Sequence, residues 1–433
     1  MKSEAMRLAL RVNPDADKLS VEDRSVYDWY RFVPSFPPHL VRDYLKRFAI
    51  TEKHCLLDPF RGTGITIVES KEAGLLSVGI EANPMIASAS RVECDLTIHP
   101  AGLGKHSGKV PEIAEDKIDA KEAELALSAE AQKILLKGSI SEKPLKNALE
   151  ASLNEASEPE FKGHELLALA KTPVHTASNL NFGPEVGVGK RKKDAPVLFG
   201  WFENLRTMGP DISNLKDRVG ARSHVLKGDS RETINEPQPK SINAVITPPL
   251  CPNENDYTRA TRLESVILGL INNRKALQYL KRELIQSNTR NIYKDDACDA
   301  HIDNFPQVSI HANKIEARRV DLNKTRRFEP LCANVTKQYF GGMVRHLANV
   351  RQALAPGACL ARLVGDQASF FRIMIKTGEL LSRIAVSLCY ELIGIDLFRT
   401  RLSTAARSRL RKKSHFCRGQ SDSNPSSWIL VCT

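Results

Sequence analysis

The sequence predicts an α/β fold, a seven-stranded, mostly parallel sheet interrupted by a mainly helical insertion. Three observations predict it. Residues 56–84, LLDPFRGTGITIVESKEAGLLSVGIEANP, read as an apolar strand, a glycine turn, a helix, a second apolar strand and a terminal acid, Glu81. That order is the first half of a nucleotide-binding βαβ unit. Short apolar runs recur at 223–229, 242–247, 359–364, 392–397 and 428–432, which with the first two make seven strands. Between residues 100 and 215 this pattern stops and helix-forming composition takes over.

Composition narrows the function classes. The chain has 433 residues, enough for one large or two ordinary domains, with 42% hydrophobic and 26% charged residues, as in a globular protein in water. No apolar run approaches the ~20 residues of a membrane span, and the first twenty residues lack the apolar core of a secretory signal. Nine cysteines occur without a CxxC pair, so neither a metal site nor a disulfide framework is expected, and a cytoplasmic setting fits. The formal net charge of +12 favours a polyanionic partner. Its densest part is Arg399, Arg401, Arg407, Arg409, Arg411, Lys412, Lys413 and Arg418, with smaller clusters at 190–193 and 314–327. A basic run is also compatible with a solvated face.

In chain order, Phe36-Pro37-Pro38 forms a rigid turn before an amphipathic helix over 39–48, with Leu40, Val41, Tyr44, Leu45 and Phe48 on one side. In the turn Asp58-Pro59-Phe60-Arg61-Gly62-Thr63-Gly64, the glycines let the backbone bend and approach a ligand closely. Glu81, at the end of the second strand, can accept hydrogen bonds from both hydroxyls of a ribose; the alternative is a tight turn with Glu81 merely solvated. The insertion reads as helices over 121–136, from Ser141 with Pro144 in its first turn, and over 164–171. The strand at 223–229 ends in Gly228-Asp229-Ser230, where Asp229 and Ser230 are either cofactor contacts or a helix N-cap. Residues 311–355 are helical in pattern and end at Pro356-Gly357. This gives three regions: 26–99, the cofactor half; 100–215, the insertion; and 216–433, the catalytic half.

The run 242–257, INAVITPPLCPNENDY, is a buried-looking strand followed by Thr247-Pro248-Pro249-Leu250. This run resembles the [DNS]-P-P-[YFW] tetrad of the amino-methyltransferases, which implies a role towards an aromatic amine, a poor nucleophile because its lone pair is delocalised into the ring. A side-chain oxygen and a proline carbonyl can accept its N–H bonds and aim the lone pair, and consecutive prolines present that carbonyl on a stiff backbone. A Pro-Pro strand end without chemistry is the other reading of these residues.

DPFRGTG resembles the DPF-x-G-[ST]-G motif of the S-adenosylmethionine-binding amino-methyltransferases, and TPPL resembles their [DNS]-P-P-[YFW] tetrad. PNENDYTRATRLES (252–265), FGPEVGVGK (182–190) and VGDQASFFR (364–372) extend the resemblance to a bacterial group of DNA amino-methyltransferases, from about residue 26 to the C-terminus. The resemblance implies a Rossmann-like methyltransferase fold that binds S-adenosylmethionine, with DNA as partner and base flipping before reaction. It implies cofactor contacts at Phe36, Pro37, Asp58, Pro59, Phe60, Gly62, Thr63, Gly64, Glu81, Asp229 and Ser230, with catalysis at Thr247, Pro248, Pro249 and Leu250. A hydroxyl at the first tetrad position leans towards cytosine-N4 over adenine-N6. The chain departs from the motif twice: Thr247 adds a methyl group, and Leu250 replaces the aromatic that would stack on the flipped base. Tyr257 is a conceivable substitute. Arg259 and Arg262 either touch phosphates or, the preferred reading, pair with Asp256 and Glu264. A tRNA guanine-N2 methyltransferase and a methyltransferase-derived DNA-binding protein without turnover are the competing readings.

Overall fold

The computed structural model describes residues 26–30, 36–119, 127–139, 158–182, 186–190, 197–215, 221–232, 237–397, 400–402, 423–425 and 428–432. Its centre is one sheet. In chain order the strands are β1 (Cys55–Asp58), β2 (Leu76–Glu81), β3 (Ser223–Lys227), β4 (Ile242–Thr247), β5 (Leu354–Val364), β6 (Leu392–Leu397) and β7 (Trp428–Cys432). They lie side by side as β3-β2-β1-β4-β5-β7-β6. The first five in that row are parallel throughout, and β7 pairs antiparallel with both β5 and β6. The sheet is therefore mostly parallel, the α/β class that the alternation of strands and helices predicts.

The row reverses direction between β1 and β4, and this is where the two sequence motifs meet. The chain leaves β1 towards β2 on one side and returns much later as β4 on the other, opening a crevice at the carboxyl ends of both strands. Five of the six residues of β4 are buried, Ile242, Ala244, Val245, Ile246 and Thr247, and only Asn243 is half-buried, as expected of a central parallel strand covered on both faces. β5 begins earlier than the sequence suggests. Leu354 already pairs with Ile242, and a register shift before Ala244 and Cys359 absorbs Pro356 and Gly357 as an irregularity.

Helices pack on both faces. The largest core joins Leu57, Ile80 and Val245 of the sheet to Tyr339, Phe340, Met343 and Leu347 of the long helix Cys332–Ala353. On another face the helix Pro38–Arg47 lays Leu40, Val41, Tyr44 and Leu45 against Leu56, Ala244 and Ile246. Phe36 belongs to this cluster, and Pro37 and Pro38 start the helix.

The insertion corrects several expectations. Of the helix expected over 121–136, the described part is only Ala129–Ile134, capped by the Ser128 side chain. The helix expected from Ser141 lies outside the described residues, as do most of the Arg-rich segment and residues 191–193. The expected helix at 164–171 is present as Lys162–Thr172. Two longer helices, Pro100–Asp119 and Val197–Leu215, had no sequence expectation. Trp201, Leu205, Met208 and Ile212 of the second pack with Leu103, Phe161, Leu167 and Leu169, and this core continues into Met85, Ile86 and Ala89 of the helix after β2. That packing ties the insertion to the sheet on the side of the acid Glu81.

Candidate active site

The turn after β1 begins with a buried carboxylate. Asp58 is fully inaccessible, and its Oδ1 accepts hydrogen bonds from the Phe60 amide at 3.2 Å and the Thr247 hydroxyl at 2.6 Å. Burial pushes the Asp58 carboxyl up to about 6, opposed by these donors and by the nearby Arg61. The Thr247 bond spans 189 positions of chain and joins the two motifs directly. The Thr247 hydroxyl helps to satisfy this buried acid alongside the Phe60 amide and Thr66, and leaving a buried acceptor short of a donor costs about 1–3 kcal/mol.

Gly62 and Gly64 bend the turn, with φ of +56° and +101°. These are left-handed conformations that side chains resist. At Gly64 a Cβ would come within 2.0 Å of Ser90 Oγ, so the helix after β2 seals that position. At Gly62 a Cβ would meet only the Phe60 carbonyl oxygen, at 4.0 Å, so its outer side is open space. The Gly62 amide donates to Glu81 Oε2 at 3.0 Å and the Asn83 amide donates to Oε1 at 2.8 Å. Glu81 is thus held by one backbone donor on each oxygen. Burial raises its carboxyl to about 7, with these amides and Arg61 pulling the other way. Sequence reasoning passed over Arg61, whose side chain is buried across Gly79 beneath the turn.

A cleft opens between the motifs. Pro59, Phe60, Gly62 and Glu81 line it from the β1–β2 side, Gly228 and Ser230 from the β3 side, and Pro248 and Leu250 from the tetrad. Gly62 and Pro248 therefore face the same space. Of the other nominated residues, Asp58, Thr63, Gly64, Thr247 and Pro249 are buried in the supporting structure and are not part of the lining. Thr247 directs its hydroxyl to Asp58. Asp229 is not in the lining either; its carboxylate is clasped by Arg231, with Nη2 to Oδ2 at 2.6 Å and Nε to Oδ1 at 2.9 Å, and also accepts the Arg231 amide at 2.8 Å. Phe36 and Pro37 are buried and do not line the cleft.

The remaining wall comes from residues without a motif, among them Asn83, Tyr257, Glu283, Leu284 and Ile285. Asn83 caps the helix Pro84–Glu93 and donates through Nδ2 to Thr261 Oγ1 at 2.9 Å, binding the end of β2 to the segment after the tetrad. The Leu250 carbonyl accepts the Tyr339 hydroxyl at 2.7 Å, fixing the tetrad against the long helix. Arg262 pairs with Asp256 at 3.5 Å, as the second sequence reading has it, while Glu264 instead accepts the Tyr30 hydroxyl at 2.6 Å.

The donor set fits S-adenosylmethionine. The turn offers a carboxylate whose two oxygens each hold one amide and retain lone pairs for hydroxyl donors, beside a glycine whose missing Cβ leaves room. Such an arrangement suits an uncharged diol and repels phosphates. Among the described residues no group of three or more His, Cys, Asp or Glu side chains could hold a metal ion, and no helix is long and apolar enough to cross a membrane.

No protein-family profile matches the chain. The chain is 25% identical over 295 residues to the type II methyltransferase M.BsoBI of Geobacillus stearothermophilus, a match covering 62% of this chain and 57% of that protein. The matched part thus spans little more than half of the relative's length.

Proposed function

We propose that the chain is an S-adenosylmethionine-dependent DNA methyltransferase acting on an exocyclic amino group, cytosine-N4 in preference to adenine-N6. The observation that carries this reading is the shared cleft, with Gly62 and Glu81 at one end and Pro248 and Leu250 at the other, locked together through the Thr247–Asp58 hydrogen bond. Likeness to a type II methyltransferase supports it independently.

When bound, S-adenosylmethionine supplies a methyl group made electrophilic by its sulfonium. Glu81 receives the ribose hydroxyls, and Gly62 leaves space for the sugar. Phe60, Ile80 and Ile285, all in the lining, provide the apolar surface for an adenine. The Pro248 carbonyl accepts an N–H of the target amine, turning its lone pair towards the methyl group. Thr247 acts here by position: its bond to Asp58 sets the distance between the two motifs, and positioning is the main lever when the cofactor carries the reactivity. An amino group inside a stacked duplex cannot reach the methyl donor, so this reading has the target base flipped out into the cleft. Residues 26–99 and 216–433 form the two halves of this domain, and 100–215 is an insertion packed on its β2 side.

Tritiated methyl transfer from S-adenosylmethionine to unmethylated bacterial DNA tests the reading, with tRNA as the competing acceptor. Labelled N4-methylcytosine is the expected product. No incorporation across varied DNA sequences, with cofactor binding intact, overturns the activity. Leu250 in the lining favours a second reading, a DNA-binding protein of methyltransferase ancestry without turnover. That reading holds if the native chain is inactive and Leu250→Tyr creates activity.

A further inference from the structure

The proposed reaction needs a surface for the extruded base, and position 250, where the resembled tetrad carries an aromatic, is leucine. We propose that the ring of Tyr257 is that surface. This inference rests on the reading of the site as a DNA amino-methyltransferase.

Several observations place Tyr257 in this role. It lines the cleft together with Pro248, Leu250 and Glu81, and it packs in one apolar cluster with Leu250. The two aromatic residues of the lining divide between its ends: Phe60 belongs to the β1 turn, its ring 4.6 Å from that of His346, which leaves Tyr257 for the tetrad end. The segment that presents it is fixed before any substrate arrives. Asp256 caps the turn by accepting the Thr258 amide at 3.2 Å, and its other oxygen is held by Lys281 at 3.1 Å and Arg262 at 3.5 Å. Further along the same segment, Thr261 is bound to Asn83. The polar edge of the ring is also occupied, because the Asn253 side-chain amide donates to the Tyr257 hydroxyl at 3.3 Å.

Tyr257 is 8% exposed, and the part of it that lines the cleft is already ordered, so little ordering cost falls on binding. Stacking of a base on an aromatic side chain contributes ~1–3 kcal/mol, the same quantity that Leu250 forgoes. The ring has moved from the tetrad itself to a capped turn seven residues downstream. The backbone order that the tetrad needs is retained through Tyr339 and the Leu250 carbonyl.

The test uses the full chain, tritiated S-adenosylmethionine and unmethylated genomic DNA, with KM for DNA, kcat and cofactor Kd measured separately. Tyr257→Leu is expected to raise the KM for DNA about five- to a hundred-fold, with the cofactor Kd within about two-fold of native. Tyr257→Phe is expected to recover most of that loss, and so is Leu250→Tyr placed in the Tyr257→Leu background. Tyr257→Met, whose flexible side chain fills irregular gaps, serves as the ringless variant if the leucine variant does not fold. A native KM in either ringless variant overturns the inference. A loss in Tyr257→Phe equal to that in Tyr257→Leu also overturns it, since the hydroxyl would then be the working group. Weakened cofactor binding with unchanged KM for DNA would assign the ring to the other end of the cleft and overturn it too. Absence of methyl transfer by the native chain overturns both the inference and the reading beneath it, whereas native activity with an indifferent Tyr257 overturns the inference alone.

Discussion

The two ends of the cleft are built by different means. At the Gly62–Glu81 end everything needed lies within one strand–turn–helix–strand unit: two left-handed glycines, an acid, and backbone amides that reach it over 19 and 2 residues. At the Pro248–Leu250 end the tetrad supplies only part of the wall. Its support comes from Asp58, 189 residues upstream of Thr247, from Tyr339, 89 residues downstream of Leu250, and from the turn that carries Tyr257. A site assembled locally keeps its motif nearly intact, while one assembled from distant segments can lose a motif residue and have its task taken up by a neighbour in space.

That contrast is sharpest in Glu81. Glu81→Ala strands the Gly62 and Asn83 amides, each at about 1–3 kcal/mol, and removes the diol acceptor. S-adenosylmethionine affinity by calorimetry is expected to fall at least about 100-fold. Pro248→Ala is expected to leave that affinity within about two-fold while lowering methyl transfer. Equal loss of cofactor binding in both variants would dissolve the distinction between the ends.

The link between the ends is next in size. Thr247→Val removes the 2.6 Å hydroxyl donor from Asp58 Oδ1, in a carboxyl that is already fully buried. A stability loss of about 1–3 kcal/mol in urea unfolding is expected. In a double-mutant cycle with Asp58→Asn the two changes are expected to be strongly non-additive. Additive effects would show that the 2.6 Å bond does not couple the motifs.

Protonation separates binding from stability. Burial raises Glu81 to about 7, and Glu69 and Glu264 also to about 7, against about 4.3 for an unfolded glutamate. Groups raised in the folded state contribute stability that is complete below the unfolded value and disappears as pH rises through the folded one. The ligand-free chain is therefore expected to lose this contribution between about pH 4.3 and 7. Cofactor affinity is expected to run the opposite way, falling as pH drops through about 7 and Glu81 gains a proton in place of an acceptor lone pair. Parallel pH profiles for affinity and stability would argue against Glu81 as the diol acceptor. The smallest effect is at Thr261→Val, which removes the bond to Asn83 and is expected to cost about 0.5–1.5 kcal/mol, read as a modest rise in the KM for DNA.

What the sequence made legible follows the same division. The strands at Leu392–Leu397 and Trp428–Cys432 lie where their apolar runs place them, and the glycine turn and Glu81 form the expected unit. Local periodicity and turn chemistry suffice for such elements. The helices Pro100–Asp119 and Val197–Leu215 were hidden because Gly102, Gly104, Gly108 and Pro111 in one, and Gly200, Gly209 and Pro210 in the other, work against helix propensity. The stripe Trp201, Leu205, Met208, Ile212 and Leu215 has helical spacing and is fully used in packing, so the second helix carried a readable signal. Asp229 could be read as a cofactor contact or a cap, and its geometry is that of a clasp on Arg231. The wall at Glu283, Leu284 and Ile285 had no local signature, since its meaning lies only in facing the turn after β1.

In the proposed site one cleft holds the methyl donor at Glu81 and the acceptor amine at Pro248. A crystal structure of the chain with S-adenosylhomocysteine is the decisive test. The expected result places the ribose hydroxyls on the Glu81 carboxylate and the sulfur towards the Pro248 carbonyl. A ligand seated away from Glu81, or with its sulfur turned from the tetrad, would contradict it.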